Sequence, residues 1–333
     1  MTILGLDVGG ANIKAATSTG QSSSHRFALW KRPGELADFL KAHVFSQFEK
    51  PRAVALTMTG ELCDCFESKR EGVECIVEAV HAVAPQVDLG VYAVGGHFLN
   101  SLQAKQDFLQ VAASNWHALA NYSRRFLTEN EQAILMDMGS TSCDIIPLNG
   151  DEVLAKGTTD TTRIQHHELV YTGAFRTPVC AVIQPIEFRG AEVTLAQEIF
   201  ATMADVYLIL GDLPADENET ETADGRPLTI ENSFRRLARA VCADLDEITT
   251  EELEQLAGQI AQAQRSLIQH AWKQVAQNKT PEAIIYSGFG HFVVSGLASG
   301  ETGSRSIELA CELGADLCTA APAFAVACLL EES

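Results

Sequence analysis

The feature that most constrains the fold is a pair of turns, each held between two apolar strand-like runs. The first runs from Asp7 to Asn12 within ILGLDVGGANIKAAT, and the second runs from Asp137 to Ser142 within ILMDMGSTSCDIIPL. In both, one strand delivers an aspartate, small residues make a tight turn, and a second strand leaves. Two such copies in one chain indicate an internal duplication.

Strand and helix patterns alternate along the chain, which favours an α/β fold. After residue 150 the pattern becomes mixed. We predict helices over 34–47, 72–83, 111–126, 161–170, 198–210, 230–245, 250–277 and 316–330. We predict strands over 53–59, 90–94, 179–186, 191–195, 283–286 and 306–309. Thr249 or Thr250 is expected to cap the helix over 250–277, because acidic residues follow in its first turn.

Composition excludes several classes of protein. The 333 residues carry a formal net charge of −20, so the surface field repels nucleic acid and anionic membranes. No apolar run approaches the roughly 20 residues that a membrane-spanning helix needs, and the first residues lack a signal-peptide pattern. The nine cysteines are an odd number and lie mostly in apolar runs, which favours reduced thiols and a cytoplasmic protein.

The two turns have the chemistry of an anion cradle. Glycine lets backbone N–H groups approach a phosphate closely, and short polar side chains add further donors. The predicted phosphate-binding residues are Gly9, Gly10, Asn12, Lys14, Gly139, Ser140, Thr141 and Ser142. Asp7 and Asp137 are predicted to hold Mg²⁺, which would neutralise the phosphate. The alternative is a pair of ordinary hairpins, since the same residues are common in turns.

Longer strings carry a resemblance to a known family. The two turns, the Ser287–Gly290 turn before a helix, and the closing strand and helix resemble the actin, sugar-kinase and heat-shock ATPase superfamily. The strings LTMTGELCD, VAASNWHALA, ELVYTGAFRTPV and FATMADVYLILG resemble its hydantoinase/oxoprolinase branch, and more narrowly the tetrahydromethanopterin-linked one-carbon transfer proteins. The resemblance covers nearly the whole chain.

The resemblance implies a fold of two actin-like (ribonuclease H-like) α/β domains with a cleft between them. The first domain is expected over 1–128, completed by the C-terminal helix over 315–333. The second is expected over 129–314, with a helical insertion over 230–277. The catalytic and metal residues are expected to lie in the cleft.

The resemblance also implies an activity. Methanogen members of the narrow family include a condensing enzyme of methanofuran biosynthesis, which joins an aminomethyl-furan methyl diphosphate to the phenol of a tyramine derivative and releases diphosphate. Small-molecule diphosphate and phenolic substrates are therefore expected, and homo-oligomerisation stays open. The phenol, with a pKa near 10 in water, needs a base at neutral pH. Glu61, His167 and Glu168 are the candidate bases, since they lie in or beside the family strings.

Further residues are candidates for substrate binding. Arg176 is suited to a carboxylate or phosphate, because a guanidinium group binds either with two hydrogen bonds. The other candidates are Asn115, Tyr171, Thr172, Gly288, Phe289 and Gly290. Asp144 either points into the cleft or faces solvent at the edge of the sheet. Asp205 lies in an apolar helical run, so it is either paired or functional.

Two rival functions remain open on the sequence. One is an ATP-dependent kinase or hydantoinase-type hydrolase, because the superfamily turns normally hold a nucleotide; ATP is the less favoured ligand here. The other is a non-catalytic actin-like binding protein, which would keep the fold and have no need of the metal carboxylates.

Overall fold

The first half of the protein is built on a six-stranded sheet. The computed structural model describes residues 2–277, 279–298 and 303–333. The strands of this sheet are β1 Ile3–Val8, β2 Asn12–Thr17, β3 Ser22–Arg26, β4 Ala53–Met58, β5 Asp88–Ala93 and β6 His97–Leu99. They are ordered β3-β2-β1-β4-β5-β6, with β1 antiparallel to β2 and parallel to β4. The predicted first hairpin is therefore at the centre of the sheet.

Helices cover this sheet. They are α1 Leu36–Phe39, α2 Lys69–Val83, α3 Ser101–Gln106, α4 Phe108–Val111 and α5 Asn115–Ser123, with irregular helical turns over Leu40–Val44 and Phe45–Gln47 after α1. α2 begins where the Ser68 hydroxyl accepts a hydrogen bond from the Glu71 N–H. Val73, Ile76 and Val80 recur at helical spacing and are buried against the sheet.

The second half repeats the arrangement around a five-stranded sheet. In chain order its elements are β7 Ala133–Met138, β8 Cys143–Leu148, α6 Asp160–Gln165, β9 Leu169–Val170, β10 Ile186–Phe188, β11 Ala191–Val193, α7 Met203–Ile209, α8 Ile230–Ala240, α9 Thr250–Val275, β12 Ala283–Ser287, α10 His291–Ala298 and β13 Arg305–Glu308. The sheet order is β13-β12-β7-β8-β9, and β10 and β11 form a separate ribbon. As in the first sheet, the hairpin's first strand, β7, is antiparallel to its partner β8 and parallel to its other neighbour, β12.

The end of the chain returns to the first sheet. After α11 Leu309–Leu313 and α12 Ala315–Thr319, helix α13 Ala321–Glu332 packs on β1 and α5. Gly5 of β1 permits this approach, since a Cβ there would lie 1.9 Å from the Ala323 carbonyl oxygen. The expected domain limits stay a prediction. No helix in residues 2–277, 279–298 and 303–333 has the length and apolarity to cross a bilayer.

Several predicted elements differ from the structure. The helix predicted over 111–126 is broken, because Ala113 has φ +48° and α5 starts only at Asn115. The helix predicted over 161–170 ends at Gln165, and its last residues form strand β9. The strand predicted over 179–186 begins instead with a 3-10 turn over Val179–Ala181. The helix predicted over 230–245 ends at Ala240.

Other predictions are confirmed. The Thr249 hydroxyl caps α9 by accepting from the Glu252 N–H at 3.2 Å. The Asp205 carboxylate is paired, since it accepts from Arg236 at 2.7 Å and from the Ser233 hydroxyl at 2.7 Å in the core of the second half. Asp205 is therefore a structural residue.

Candidate active site

The two turns have the same backbone geometry. In the first, the Gly9 N–H donates to the Asn12 carbonyl at 2.9 Å. In the second, the Gly139 N–H donates to the Ser142 carbonyl at 2.9 Å. Each aspartate lies one residue before the end of its strand. The two turns predicted to be duplicates therefore share the same hydrogen bond across the turn.

Each turn is also held by the loop after the parallel neighbour of its strand. The Gly60 N–H, after β4, donates to the Val8 carbonyl at 3.0 Å. The Gly290 N–H, after β12, donates to the Met138 carbonyl at 2.7 Å. Each turn is therefore braced by a backbone hydrogen bond from a neighbouring loop.

The two turns face each other across a cleft. The Lys14 ammonium and the Asp7 carboxylate, both from the first half, act electrostatically on Asp137 in the second half. The Lys69 ammonium lies 3.7 Å from the Asp160 carboxylate, which joins the first helix after β4 to the start of α6. The structure therefore brings Asp7, Lys14 and Asp137 together at the base of the cleft.

Asp7 is buried without a full set of partners. Its side chain is 5% exposed, and Oδ1 has no hydrogen-bond partner in the described part of the chain. Burial raises the pKa of this carboxyl, and Lys14, its cross-strand neighbour, lowers it. A buried polar atom without a partner is uncommon in native proteins and calls for an explanation such as a bound ion.

Asp137 has a more polar setting. The net pKa of Asp137 is raised to about 6. Burial is the largest cause, the Asp144 and Asp7 carboxylates add to the rise, and Lys14 and Ser287 oppose it. Ser287 is its direct neighbour across the β7–β12 pairing. Asp144 is itself buried and paired with Arg163, whose guanidinium group lies 4.3 Å from the centre of the Trp116 ring. Asp144 is thus buried beside Asp137 and paired with Arg163, and it does not face solvent.

Glu61 is the second buried carboxylate with a partnerless oxygen. It is 1% exposed, and Oε2 accepts no hydrogen bond from the described residues. Burial raises its pKa to about 7; Lys69 lowers it and Asp160 raises it. Helix α2 packs on this residue so closely that a Cβ at Gly72 would lie 2.2 Å from the Glu61 carbonyl oxygen. Glu61 is therefore held in place on the first half of the cleft, with a pKa suited to proton transfer at neutral pH.

The remaining polar residues of the turns are accessible from the cleft. Asn12 and Lys14 are half-buried on β2. Ser140, Thr141 and Ser142 are also half-buried, and the first two hydroxyls lie 3.4 Å apart. Their donors are positioned for an anion, and their roles stay a prediction.

The segment after β9 closes over the second turn. The Arg176 N–H donates to the Ser140 carbonyl at 2.8 Å, and its side chain is exposed. A Cβ at Gly173 would lie 2.3 Å from the Thr141 nitrogen, so only glycine allows this packing. The Arg176 guanidinium lowers the pKa of Cys63 in the first half, although burial raises that pKa to about 11 overall. Arg176 is therefore at the mouth of the cleft.

Three of the candidates have structural contacts. Both Glu168 carboxylate oxygens accept backbone hydrogen bonds, from the Lys156 N–H at 2.7 Å and the Gly157 N–H at 2.8 Å. The Thr172 hydroxyl accepts from Gln264 at 2.7 Å. His167 follows the end of α6 in a turn with φ +61° and is exposed. These placements do not favour a catalytic role for any of the three.

Two further candidates differ in how they relate to the turns. Tyr171 is 66% exposed on the rim. Asn115 is the first residue of α5, directly after Ser114, whose hydroxyl lies 3.0 Å from the Thr57 hydroxyl. Thr57 is the parallel neighbour of Asp7. Asn115 is therefore close to the first turn, whereas Tyr171 is peripheral.

Two further residues, Cys63 and Phe175, lie at the turns, and the sequence did not predict their place there. The Cys63 sulfur packs on the first turn, since a Cβ at Gly10 would lie 2.7 Å from it. The Phe175 ring pairs edge to face with the Phe289 ring, with centroids 6.2 Å apart. Their position could not be predicted because each contact joins residues that are distant in the chain.

The residues present fit a magnesium ion that is shared with a phosphate ligand. Among the described residues, no three His, Cys, Asp or Glu side chains form a metal-binding cluster. Mg²⁺ commonly takes only one or two protein carboxylates, with the rest of its ligands from phosphate and water. Asp7 Oδ1, buried and partnerless, is an available ligand of that type.

Comparison with known proteins identifies a family and two related proteins. The profile of the hydantoinase/oxoprolinase family matches residues 52–333. A protein of Methanocaldococcus jannaschii is 38% identical over 333 residues, covering 99% of this chain and 98% of its own. It is named (4-{4-[2-(gamma-L-glutamylamino)ethyl]phenoxymethyl}furan-2-yl)methanamine synthase. A protein of Methanococcus vannielii with the same name is 31% identical over 211 residues, covering 62% of this chain and 95% of its own.

Solved structures support the fold. A ROK family glucokinase from Streptomyces griseus, in complex with glucose and AMPPNP, aligns over 100% of both chains with a TM-score of 0.52 and 14% identity. Acetone carboxylase, in a nucleotide-free structure, aligns over 98% of this chain and 70% of its own with a TM-score of 0.57 and 9% identity. The fold of two actin-like domains expected from the sequence is confirmed.

Proposed function

This chain belongs to the hydantoinase/oxoprolinase family, and we propose that it is an ether-forming transferase. In this proposal it joins an aminomethyl-furan methyl diphosphate to the phenol of a tyramine or tyrosine derivative and releases diphosphate. The relatives' name supports this, because it describes a product with a phenoxymethyl link between a benzene ring and a furan. The aligned region covers 99% of the chain and therefore includes both turns.

The proposed reaction is a substitution at the methylene carbon of the furan-methyl group. The bond between that carbon and the diphosphate oxygen breaks, and its electron pair leaves with the diphosphate. The phenol oxygen forms the new bond to the carbon, and the phenolic proton goes to a base. The furan ring shares the positive charge that develops, so the protein mainly has to stabilise the leaving group.

The two turns are the proposed diphosphate site. Their backbone N–H groups and the Lys14 ammonium supply positive charge between Asp7 and Asp137. The same two aspartates would hold Mg²⁺, which when bound offsets the charge of the diphosphate. This arrangement explains how a protein of net charge −20 could bind a highly charged anion.

Glu61 is the proposed general base. A carboxylate with a pKa of about 7 accepts a proton from a phenol more readily than an ordinary glutamate does. Its partnerless Oε2 is the atom assigned to the phenolic proton. Glu168 is not assigned this role, since backbone N–H groups occupy both of its oxygens.

The observation that carries the proposal is the pair of partnerless buried carboxylate oxygens, Asp7 Oδ1 and Glu61 Oε2, in the first half of the cleft. One is suited to the metal and leaving group, the other to the nucleophile. A cytoplasmic setting is part of the proposal and is supported by the nine cysteines, all of which are free thiols.

An ATP-dependent reaction is the second candidate. It is favoured by one observation: Gly288, Phe289 and Gly290 form a loop beside the second turn, where a nucleoside could lie. Isothermal titration separates the two. The ether-forming proposal predicts tighter magnesium-dependent binding of diphosphate than of ATP, and the reverse order favours the ATP-dependent candidate.

Product formation tests the proposal directly. Purified protein, Mg²⁺, a synthetic aminomethyl-furan methyl diphosphate and tyramine derivatives are incubated without ATP, and the ether is sought by mass spectrometry. We expect ether and diphosphate in equal amounts, and on the order of 10³-fold slower formation of both with the Asp7→Asn variant. No ether with any phenol, together with ATP hydrolysis by the protein, would contradict the proposal. Full function of Asp7→Asn and Asp137→Asn in cells would instead support a non-catalytic role.

A further inference from the structure

We infer that Phe175 and Phe289 form an aromatic subsite that holds the furan ring beside the second turn and stabilises the positive charge that develops on it. The inference rests on the proposed function. It goes further by assigning the substrate ring to one half of the cleft and to two named side chains.

The Phe289 ring is exposed where large apolar side chains are usually buried. It is 53% exposed, and its contact with Phe175 is edge to face, with an interplanar angle of 68°. Because the Phe289 ring is 53% exposed, its contact with Phe175 leaves much of the ring uncovered. The two rings together form an aromatic surface on which a further ring could pack.

Backbone contacts fix this aromatic pair against the second turn. The Phe175 N–H donates to the Ser140 carbonyl at 3.2 Å. Gly288, with φ +88°, packs so tightly that a Cβ would lie 2.3 Å from the Met138 carbonyl and 2.6 Å from Asp137 Oδ1. A Cβ at Gly290 would lie 2.7 Å from the Ala174 Cβ. Phe289 is therefore held between two glycines that cannot be enlarged, directly beside the proposed diphosphate site.

The chemistry of the substrate identifies the occupant. In a furan-methyl diphosphate only one carbon and one oxygen separate the ring from the first phosphorus, so a diphosphate held by the turns places the ring next to them. The relatives' product contains that furan. An aromatic face attracts positive charge, and the furan-methyl group gains such charge as the diphosphate leaves. The phenol then approaches from the side of Glu61, in the other half of the cleft.

Binding of matched ligands tests the subsite. The probes are inorganic diphosphate and two unreactive analogues in which a carbon replaces the bridging C–O oxygen, one carrying furan and one carrying the saturated tetrahydrofuran ring. All are titrated with Mg²⁺ into the wild type and the Phe289→Leu, Phe175→Leu and Phe289→Tyr variants. We expect the wild type to prefer the furan analogue over the saturated one by about 3- to 10-fold. Phe289→Leu should lose this preference, Phe289→Tyr should keep it, and inorganic diphosphate should bind all variants alike.

Turnover gives the second readout. In Phe289→Leu we expect kcat for ether formation to fall by at least about 10-fold while KM for the phenol is unchanged. Equal affinity of the wild type for the furan and saturated analogues would overturn the inference. The inference would also be overturned if both leucine variants lost affinity for diphosphate and for the furan analogue to the same extent. The two rings would then only support the turn. If the wild type prefers furan but makes no ether, the subsite stands and the proposed reaction fails.

Discussion

The two halves of the cleft have matching hairpin hydrogen bonds, but their carboxylate side chains differ in which oxygens have partners. Both present an aspartate at the end of a central strand, a glycine-anchored hairpin and a bracing loop. In the first half, Asp7 and Glu61 each keep a buried oxygen without a partner. In the second half, Asp144 is paired with Arg163, and each Glu168 carboxylate oxygen accepts a backbone hydrogen bond. The scaffold is thus present twice, whereas its two partnerless buried carboxylate oxygens both lie in the first half; the second half contributes the partnerless Ser287 hydroxyl beside Asp137.

Exchange of each turn aspartate for asparagine gives the largest expected effect. Asp7→Asn should lower kcat for ether formation on the order of 10³-fold, because the open oxygen of Asp7 has no role inside the protein. Asp137→Asn should cost on the order of 10²-fold, since Asp137 is only half-buried and none of its oxygens is among the buried partnerless atoms of the described residues. Steady-state kinetics measures both, with the exposed Asp38→Asn as control. Equal decreases in kcat for the two variants would show that the two turn aspartates contribute equally, which contradicts the difference between the halves.

Glu61→Gln tests whether the base lies in the first half. We expect kcat to fall on the order of 10²-fold and the acid limb of the pH–rate profile, near pH 7 in the wild type, to disappear. The limb has this direction because the base works only when ionised, above its pKa. An unchanged acid limb in the variant would show that another group titrates.

Stability should change in opposite directions for Glu61→Gln and Glu168→Gln. The pKa of Glu61 is raised in the folded state, so its favourable contribution is present at low pH and lost as pH rises through about 7. Glu61→Gln should therefore raise the free energy of unfolding at pH 8 by about 1–3 kcal/mol and change it little at pH 5.

Glu168→Gln should instead lower the free energy of unfolding by about 1–2 kcal/mol, because a backbone N–H that donated to a carboxylate loses its acceptor or part of its charge. Its kcat should stay within about 3-fold of the wild type. Chemical denaturation at the two pH values provides the comparison. A stabilised Glu168→Gln variant would mean that Glu168 is a site residue after all.

The smallest effect concerns the ion pair that joins the halves. Lys69 lowers the pKa of Glu61 and Asp160 raises it, so Lys69→Met should move the acid limb to higher pH and Asp160→Asn to lower pH. Each shift should be below about one pH unit, because both partners are partly solvated. Movement of the limb in the same direction in both variants would disprove the placement of Glu61 between these two charges.

The sequence predicted those features of the fold and the site that depend on patterns over a few residues. Both hairpins, the capping role of Thr249 and the α/β alternation follow from turn chemistry and periodicity over a few residues. The same local patterns predict the positions of Asp7 and Asp137 at the two turns.

The parts that were missed depend on contacts between distant residues. The break at Ala113 lies in an alanine-rich run that favours helix locally, and the neighbouring Ser114 hydroxyl bonds to the Tyr92 carbonyl at 2.9 Å. The pairing of Phe175 with Phe289 joins two segments more than 100 residues apart. Likewise, only the folded arrangement distinguishes the free Glu61 oxygen from the occupied Glu168 oxygens.

The position of an oxygen label tests the central claim, that the turns hold diphosphate as a leaving group. Furan-methyl diphosphate is labelled with ¹⁸O at the oxygen between carbon and phosphorus and is converted with an unlabelled phenol in the presence of Mg²⁺ and the absence of ATP. The account predicts that all of the label appears in the released diphosphate and none in the ether. Label in the ether, or ether formation only when ATP is added, would contradict it.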